Sequence, residues 1–207
     1  RYRAQIEPLR KIAFLGVGAA VFYFAGTAGT SLWRSWLLFK NSTDFGVKDV
    51  QFNLDISFFA FRLPFWQSLI SWGFSALILA ILAAGAVHYL YGGLRPQMRQ
   101  DRSTPFARAQ LSVLLGLVVL LKGVAYWFDR YALSLKENKL ITGLTYSDVN
   151  ALLPAKAILA GIAVICSLLF FANIFRKSWF LPASGTALLV ISAVLIAGVY
   201  PAAIQTF

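Results

Sequence analysis

A lysine interrupts an otherwise apolar stretch, Leu120-Leu121-Lys122-Gly123-Val124. An ammonium at the centre of a bilayer costs from ~3 to ~10 kcal/mol or more. Such a residue is held by a partner, reaches the interface along its own stem, or serves a ligand or ion. On a helix Tyr126 lies at i+4 from Lys122 and Asp129 at i+7, so the three share one face. That spacing lets Lys122 pair with Asp129 or receive an anionic lipid headgroup or solute. It equally lets the side chain snorkel, because the outer end of the span is about one and a half turns away. Lys122, Tyr126 and Asp129 form the candidate intramembrane polar cluster.

The acids outside the apolar runs are the second place to look for chemistry. Asp44, Asp49 and Asp55 lie in one polar segment and Asp148 in another. Hard cations take clustered carboxylate oxygens, but these aspartates lack the tight spacing of a calcium loop. Helix capping and loop solvation are their expected roles, and no metal is assigned. Asp148 stands in Thr145-Tyr146-Ser147-Asp148-Val149-Asn150, where Thr145 or Ser147 can cap a short helix leading to Pro154. His88 is the single histidine and Cys166 the single cysteine. One histidine cannot make the paired ligands of a zincin helix, and one cysteine cannot make an internal disulfide. Interfacial packing is the expected role of His88. No Ser/His/Asp set, phosphate-cradling glycine loop or CxxC is present. No catalytic residue and no cofactor is therefore assigned within these residues.

What positions these groups is a set of apolar spans. Of the 207 residues, 59% are hydrophobic and 13% charged, with a mean hydropathy of +0.70. A soluble domain carries about 25% charge, so this chain cannot solvate a surface of its size. The apolar residues fall into runs of about 20, the length that crosses a hydrocarbon core of roughly 30 Å. The spans predicted are about 11–33, 65–91, 107–128, 154–175 and 183–200, in an all-α polytopic bundle. Residues 45–62 are read as an outer interfacial segment: Val50 to Phe58 alternates apolar and polar, while Val50, Leu54, Phe58 and Phe61 also fit a helix face. Its backbone state stays open. Pairs of small residues four apart (Gly16 and Ala20, Ala25 and Gly29, Gly26 and Thr30, Ala80 and Ala84, Ala193 and Ala197) suit close helix packing in lipid or dimerisation.

Charge gives an orientation. The net charge is +11. In a soluble protein it would point to nucleic acid; here it sits in short loops beside apolar spans, and no nucleic acid is expected. The segments before the first span, between the second and third, and between the fourth and fifth sum to +8. The other two loops are mixed and sum to +2. By the positive-inside rule the N-terminus is cytoplasmic and the C-terminus extracytoplasmic. Trp33, Trp36, Trp66, Trp72, Tyr126, Trp127, Tyr131 and Tyr146 then gather at the outer interface, and Tyr89, Tyr91 and Trp179 at the inner one, as membrane anchors.

From Asp44-Phe45-Gly46-Val47-Lys48-Asp49-Val50-Gln51-Phe52-Asn53-Leu54-Asp55 onward the chain resembles the uncharacterised protein family numbered 0182, large bacterial multi-pass membrane proteins common in actinobacteria. Val87-His88-Tyr89-Leu90-Tyr91-Gly92-Gly93, Tyr126-Trp127-Phe128-Asp129-Arg130-Tyr131, Thr145-Tyr146-Ser147-Asp148-Val149 and Tyr200-Pro201-Ala202 carry the likeness along the whole chain. Val50 and Asn53 stand where the family pattern would have Pro and Gly, a change confined to one turn. The resemblance implies a single membrane domain, 1–207, with two further spans before it and a large extracytoplasmic domain after it, in the bacterial plasma membrane. It supplies no reaction. An anchor and assembly module for the extracytoplasmic domain is the first functional reading. A transporter or permease subunit for a lipid or small anionic solute is the second, and an envelope-lipid enzyme with its catalytic groups elsewhere is the third. The expected partners are membrane lipids, other helices of the same full-length protein, and a second copy or an envelope protein.

Overall fold

The computed structural model describes residues 10–95, 103–136, 143–175 and 180–195. Five helices stand where the five spans were predicted: α1 (Arg10–Lys40), α2 (Leu63–Leu90), α3 (Pro105–Ala132), α4 (Leu153–Ala172) and α5 (Phe180–Val194). Each packs on the next in the chain, and α4, between α3 and α5, is the most buried of them. Among the described residues there is no sheet, only two isolated antiparallel bridges, Lys48 with Asp55 and Leu94 with Ser103. Among the described residues, and counted with their flanking turns, three helices are long and apolar enough to cross a membrane: Phe58–Leu90, Pro105–Leu135 and Asp148–Ala172. Their outward faces expose Ile78, Leu82, Ile165 and Leu168. So broad an apolar surface suits lipid and not water.

Two boundaries differ from the sequence expectation. α1 continues past Trp33 to Lys40, because Arg34 alone does not break a helix and no Gly or Pro follows. Asn41 ends it, with its backbone N–H at 3.0 Å and its side-chain amide at 2.8 Å both donating to the Leu37 carbonyl. α3 likewise runs four residues beyond Phe128. The far end of the fifth predicted span, and Trp179, Tyr200 and Pro201, lie outside the described residues.

Two helices begin by the same device. Pro64 and Pro154 each sit at the second position of a helix, after a single π-turn (Phe58–Arg62 and Asp148–Leu152). A proline inside a helix lacks its N–H, and its ring presses on the carbonyl four residues back. A wider turn relieves that contact: the Leu63 N–H donates to the Phe58 carbonyl and the Leu153 N–H to the Asp148 carbonyl, five residues back in each case. Both segments read Ser-x5-Leu-Pro, and Leu63 and Leu153 are both buried.

Glycines set the closest approach. A Cβ on Gly123 would meet the Ala160 carbonyl oxygen and the Ala163 methyl, each at 3.2 Å. One on Gly116 would meet the Phe171 ring at 2.6 Å. These two are seven residues apart on the α3 face that meets α4. The glycines singled out by four-residue spacing behave differently: Gly16, Gly26 and Gly29 of α1 have nothing within 4 Å of an added Cβ.

Candidate functional site

One end of the bundle gathers nearly all the polar side chains predicted to carry chemistry. It is built from the end of α1, the segment 41–57, the two π-turns and the end of α3. An aromatic chain ties it together. Phe39 of α1 stacks on Phe65 at 4.7 Å, Trp66 on Phe128 at 5.5 Å, and Tyr131 meets Phe52 at 4.9 Å and Phe58 at 5.3 Å. Offset and edge contacts at these separations each contribute ~0.5–1.5 kcal/mol beyond area burial.

The segment 44–57 is a tight hairpin turn, which resolves the backbone state the sequence left open. Asp49 N–H donates to the Leu54 carbonyl at 2.8 Å and Ile56 N–H to that of Val47 at 2.9 Å. Asn53 holds φ +54°, a left-handed conformation that Gly adopts freely and Asn tolerates. The aspartates build the turn. Asp55 accepts from the backbone of Ser57 (2.8 Å), Phe45 (3.0 Å) and Gly46 (2.9 Å). Those donors, the Ser57 amide foremost, lower its pKa to about 2. Asp49 accepts from Gln51 and Phe52 at 3.0 and 2.8 Å. Asp44 accepts from the Ser57 hydroxyl at 3.2 Å and lies 3.9 Å from the Arg62 guanidinium. Their oxygens are committed to donors within the turn and its flanks. Val50, at the tip, is fully exposed.

Asp148 is the second polar lock. Its side chain is 1% exposed. It accepts from the Lys136 ammonium at 3.2 Å, the Thr145 N–H at 2.9 Å and the Thr145 hydroxyl at 2.6 Å. Thr145 in return accepts from the Asp148 N–H at 3.3 Å. This reciprocal arrangement is a capping box, and it selects Thr145 over Ser147 as the cap.

The predicted cluster on α3 is divided in two. Lys122 lies over the Tyr126 ring, 4.7 Å from its centroid, as the shared face implied. Asp129 is paired with Lys156 of α4, at 3.1 Å, and not with Lys122. Seven residues of rise put about 10 Å between the Lys122 and Asp129 backbones, whereas Lys156 reaches across from the first turn of the neighbouring helix. Spacing along α3 alone could not find Lys156, although the predicted span 154–175 already placed it inside the neighbouring helix. The Arg130 guanidinium lies over the Trp127 ring, 4.5 Å from its centroid. Among the described residues, Arg130 Nε and Ser134 Oγ are buried without a hydrogen-bond partner.

At the opposite end His88 is buried and donates from Nε2 to Gln110 Oε1 at 2.9 Å, with the Phe106 ring against its edge. It joins α2 to α3. The Asn173 amide, donating to the Ser112 hydroxyl at 2.9 Å, joins α4 to α3. Cys166 is buried between helices. A further feature, unread in the sequence, is an open groove of about 510 Å³ between α1 and α2. It is lined by Leu32, Pro64, Gln67, Ser68, Ser71, Trp72 and Ser75. Gln67, Ser71 and Ser75 recur at helical spacing, the pattern that would have revealed it.

A family model described as "Uncharacterised protein family (UPF0182)" matches residues 1–207. A UPF0182 protein of Streptomyces coelicolor is 50% identical over 212 residues, covering 100% of this chain and 21% of the relative. One of Nocardioides sp. is 45% identical over 207 residues, with 100% and 21% covered. One of Thermobifida fusca is 46% identical over 205 residues, with 99% and 20% covered. The chain thus spans about a fifth of the length of these curated relatives. No solved structure matches it.

Proposed function

The chain belongs to the uncharacterised protein family UPF0182, and on that premise we propose that it is a multi-pass anchor and assembly module of the bacterial plasma membrane. Its N-terminus is cytoplasmic, and its hairpin end faces outward, toward an extracytoplasmic part of the same protein. The observation that carries this reading is the disposition of charge. Asp129 is neutralised by Lys156, and Lys122 rests on the Tyr126 ring. No acidic or basic side chain stands between residues 12 and 33, 63 and 87, 109 and 121 or 157 and 172. A proton relay needs ionisable groups along its path, and apart from Lys122 these helices hold them toward their ends. The committed aspartates and linked aromatics of the hairpin end support a rigid platform. The open glycine face of α1 supports contact with other helices of the full-length protein, or with a second copy.

One observation favours the transporter reading. The groove of Gln67, Ser68, Ser71 and Ser75 is a polar stripe on a membrane-spanning helix, with about 510 Å³ beside it. Two measurements on the intact protein separate the readings. A Val50→Cys variant should be labelled by an impermeant maleimide in intact cells; labelling only after the membrane is opened would reverse the orientation. Liposomes carrying the protein should show no flux of small anions above protein-free liposomes. Flux abolished by Ser71→Leu would replace the anchor with a permease.

A further inference from the structure

Beside the hairpin the end of α1, the first π-turn and the start of α2 enclose an open pocket of about 570 Å³, lined by Phe39, Lys40, Ser42, Phe58, Arg62 and Trp66. Three aromatic residues and two cationic ones are among its lining. Arg62 is held in place, since its Nε donates to the Ser42 hydroxyl at 3.3 Å. Its Nη2 lies 3.9 Å from Asp44, beyond hydrogen-bond distance, so the outer fork of the guanidinium keeps donors to offer. Lys40 makes no ion pair among the described residues. Nor is its ammonium needed to cap α1, because Asn41 already donates twice to the Leu37 carbonyl. Two cations with spare donors facing one space suit a phosphate, which a guanidinium binds through two parallel hydrogen bonds. The aromatic lining suits what a free phosphate lacks, a glycerol backbone and the first carbons of acyl chains. The pocket lies at the end of a span, at the depth where a lipid headgroup and its aromatic neighbours meet.

We propose that the Lys40–Arg62 pocket is a binding site for the phosphate headgroup of an anionic glycerophospholipid, seated on Phe39, Phe58 and Trp66. The lipid would join α1, which otherwise packs only lightly on the bundle, to the hairpin and α2. This deepens the anchor reading by naming a lipid partner, and it depends on that reading only for the chain's place in a membrane.

The test is lipid retention by the intact protein in detergent, read by native mass spectrometry after exchange into equal phosphatidylglycerol and phosphatidylcholine. The wild type should keep phosphatidylglycerol preferentially. Loss of two charge-assisted contacts in Lys40→Gln/Arg62→Gln should cut that preference roughly 10-fold or more, with the thermal transition retained. Arg62→Lys, which keeps the charge and loses the fork, should fall between the two and guards against a misfolded double variant. Equal preference in wild type and double variant overturns the proposal. Displacement of the lipid by millimolar inorganic phosphate would also overturn it, assigning the site to a free phosphate. A permease result in the flux assay leaves this outcome unaffected, so the two readings fail separately.

Discussion

Neutralising Asp129 should cost stability through Lys156 and hardly at all through Lys122. The ammonium of Lys156 lies 3.1 Å from the carboxylate, with side-chain exposures of 23% and 39% for Lys156 and Asp129. At that separation the gross attraction is about 5 kcal/mol for an effective dielectric near 20. Partial exposure, screening and the ordering of a long side chain reduce the net coupling to ~1 kcal/mol, the upper part of the range for solvent-accessible pairs. Lys122 begins about 10 Å down the helix from Asp129 and sits 4.7 Å from the Tyr126 ring instead, so its coupling to Asp129 should be below ~0.3 kcal/mol at physiological salt. Two double-mutant cycles, Asp129→Asn with Lys156→Gln and Asp129→Asn with Lys122→Gln, measure the two terms directly from unfolding free energies in lipid nanodiscs. High salt should shrink the first and leave the second unchanged. A coupling to Lys122 as large as that to Lys156 would refute the division of the cluster and restore the single-helix arrangement that the spacing suggested.

Two further outcomes follow from local geometry. Gly123→Val should destabilise the α3–α4 contact by ~2 kcal/mol or more, since even a Cβ there already stands 3.2 Å from the Ala160 carbonyl and two more methyls have no space; Gly161→Val, with nothing within 4 Å of its Cβ, is the control, and in-membrane unfolding reads both. The Asp55 carboxylate, lowered from 3.8 to about 2, holds the hairpin only while ionised, so its contribution is complete above 3.8 and is lost as the pH falls through about 2. Exchange protection of the Phe45, Gly46 and Ser57 amides should vanish in that window, and Asp55→Asn should lower it at neutral pH; protection unchanged in both would show that the carboxylate does not hold the turn.

The spans were legible because hydrocarbon thickness imposes a length that composition alone displays. Their ends were less so. The boundary drawn at Trp33 followed the first charge, Arg34, yet α1 runs on to Lys40, since an interfacial cation does not stop a helix whereas Asn41 does. The hairpin at 44–57 was ambiguous because its apolar residues satisfy both a period of two and a helical face. What decides it is a set of backbone donors converging on Asp55 and Asp49, visible only once the chain has folded back. Spacing along one helix brings Lys122 to Tyr126, but the partner of Asp129 stands 27 residues away on another helix. The small-residue rule pointed at the first, second and fifth spans. The glycines that bring helices together are Gly116 and Gly123, whose seven-residue separation the four-residue pattern passes over.

The repeated Ser-x5-Leu-Pro segments explain why the polar chemistry is concentrated at one end. Each converts an extracytoplasmic connection, in the proposed orientation, into a helix without an ordinary first turn, so each needs an acid and a hydroxyl to satisfy the donors left over. Asp55 and Asp44 serve Ser57, and Asp148 serves Thr145. Lys136 and Arg62 lie beside the resulting charge, the first 3.2 Å from Asp148 and the second 3.9 Å from Asp44. Thus most of the described aspartates are consumed in starting helices, while Lys122 and Arg130 lie over the Tyr126 and Trp127 rings and Lys40 lines a pocket with Phe39, Phe58 and Trp66. If the proposed lipid site holds, lipid composition is the variable to which this end of the bundle should respond.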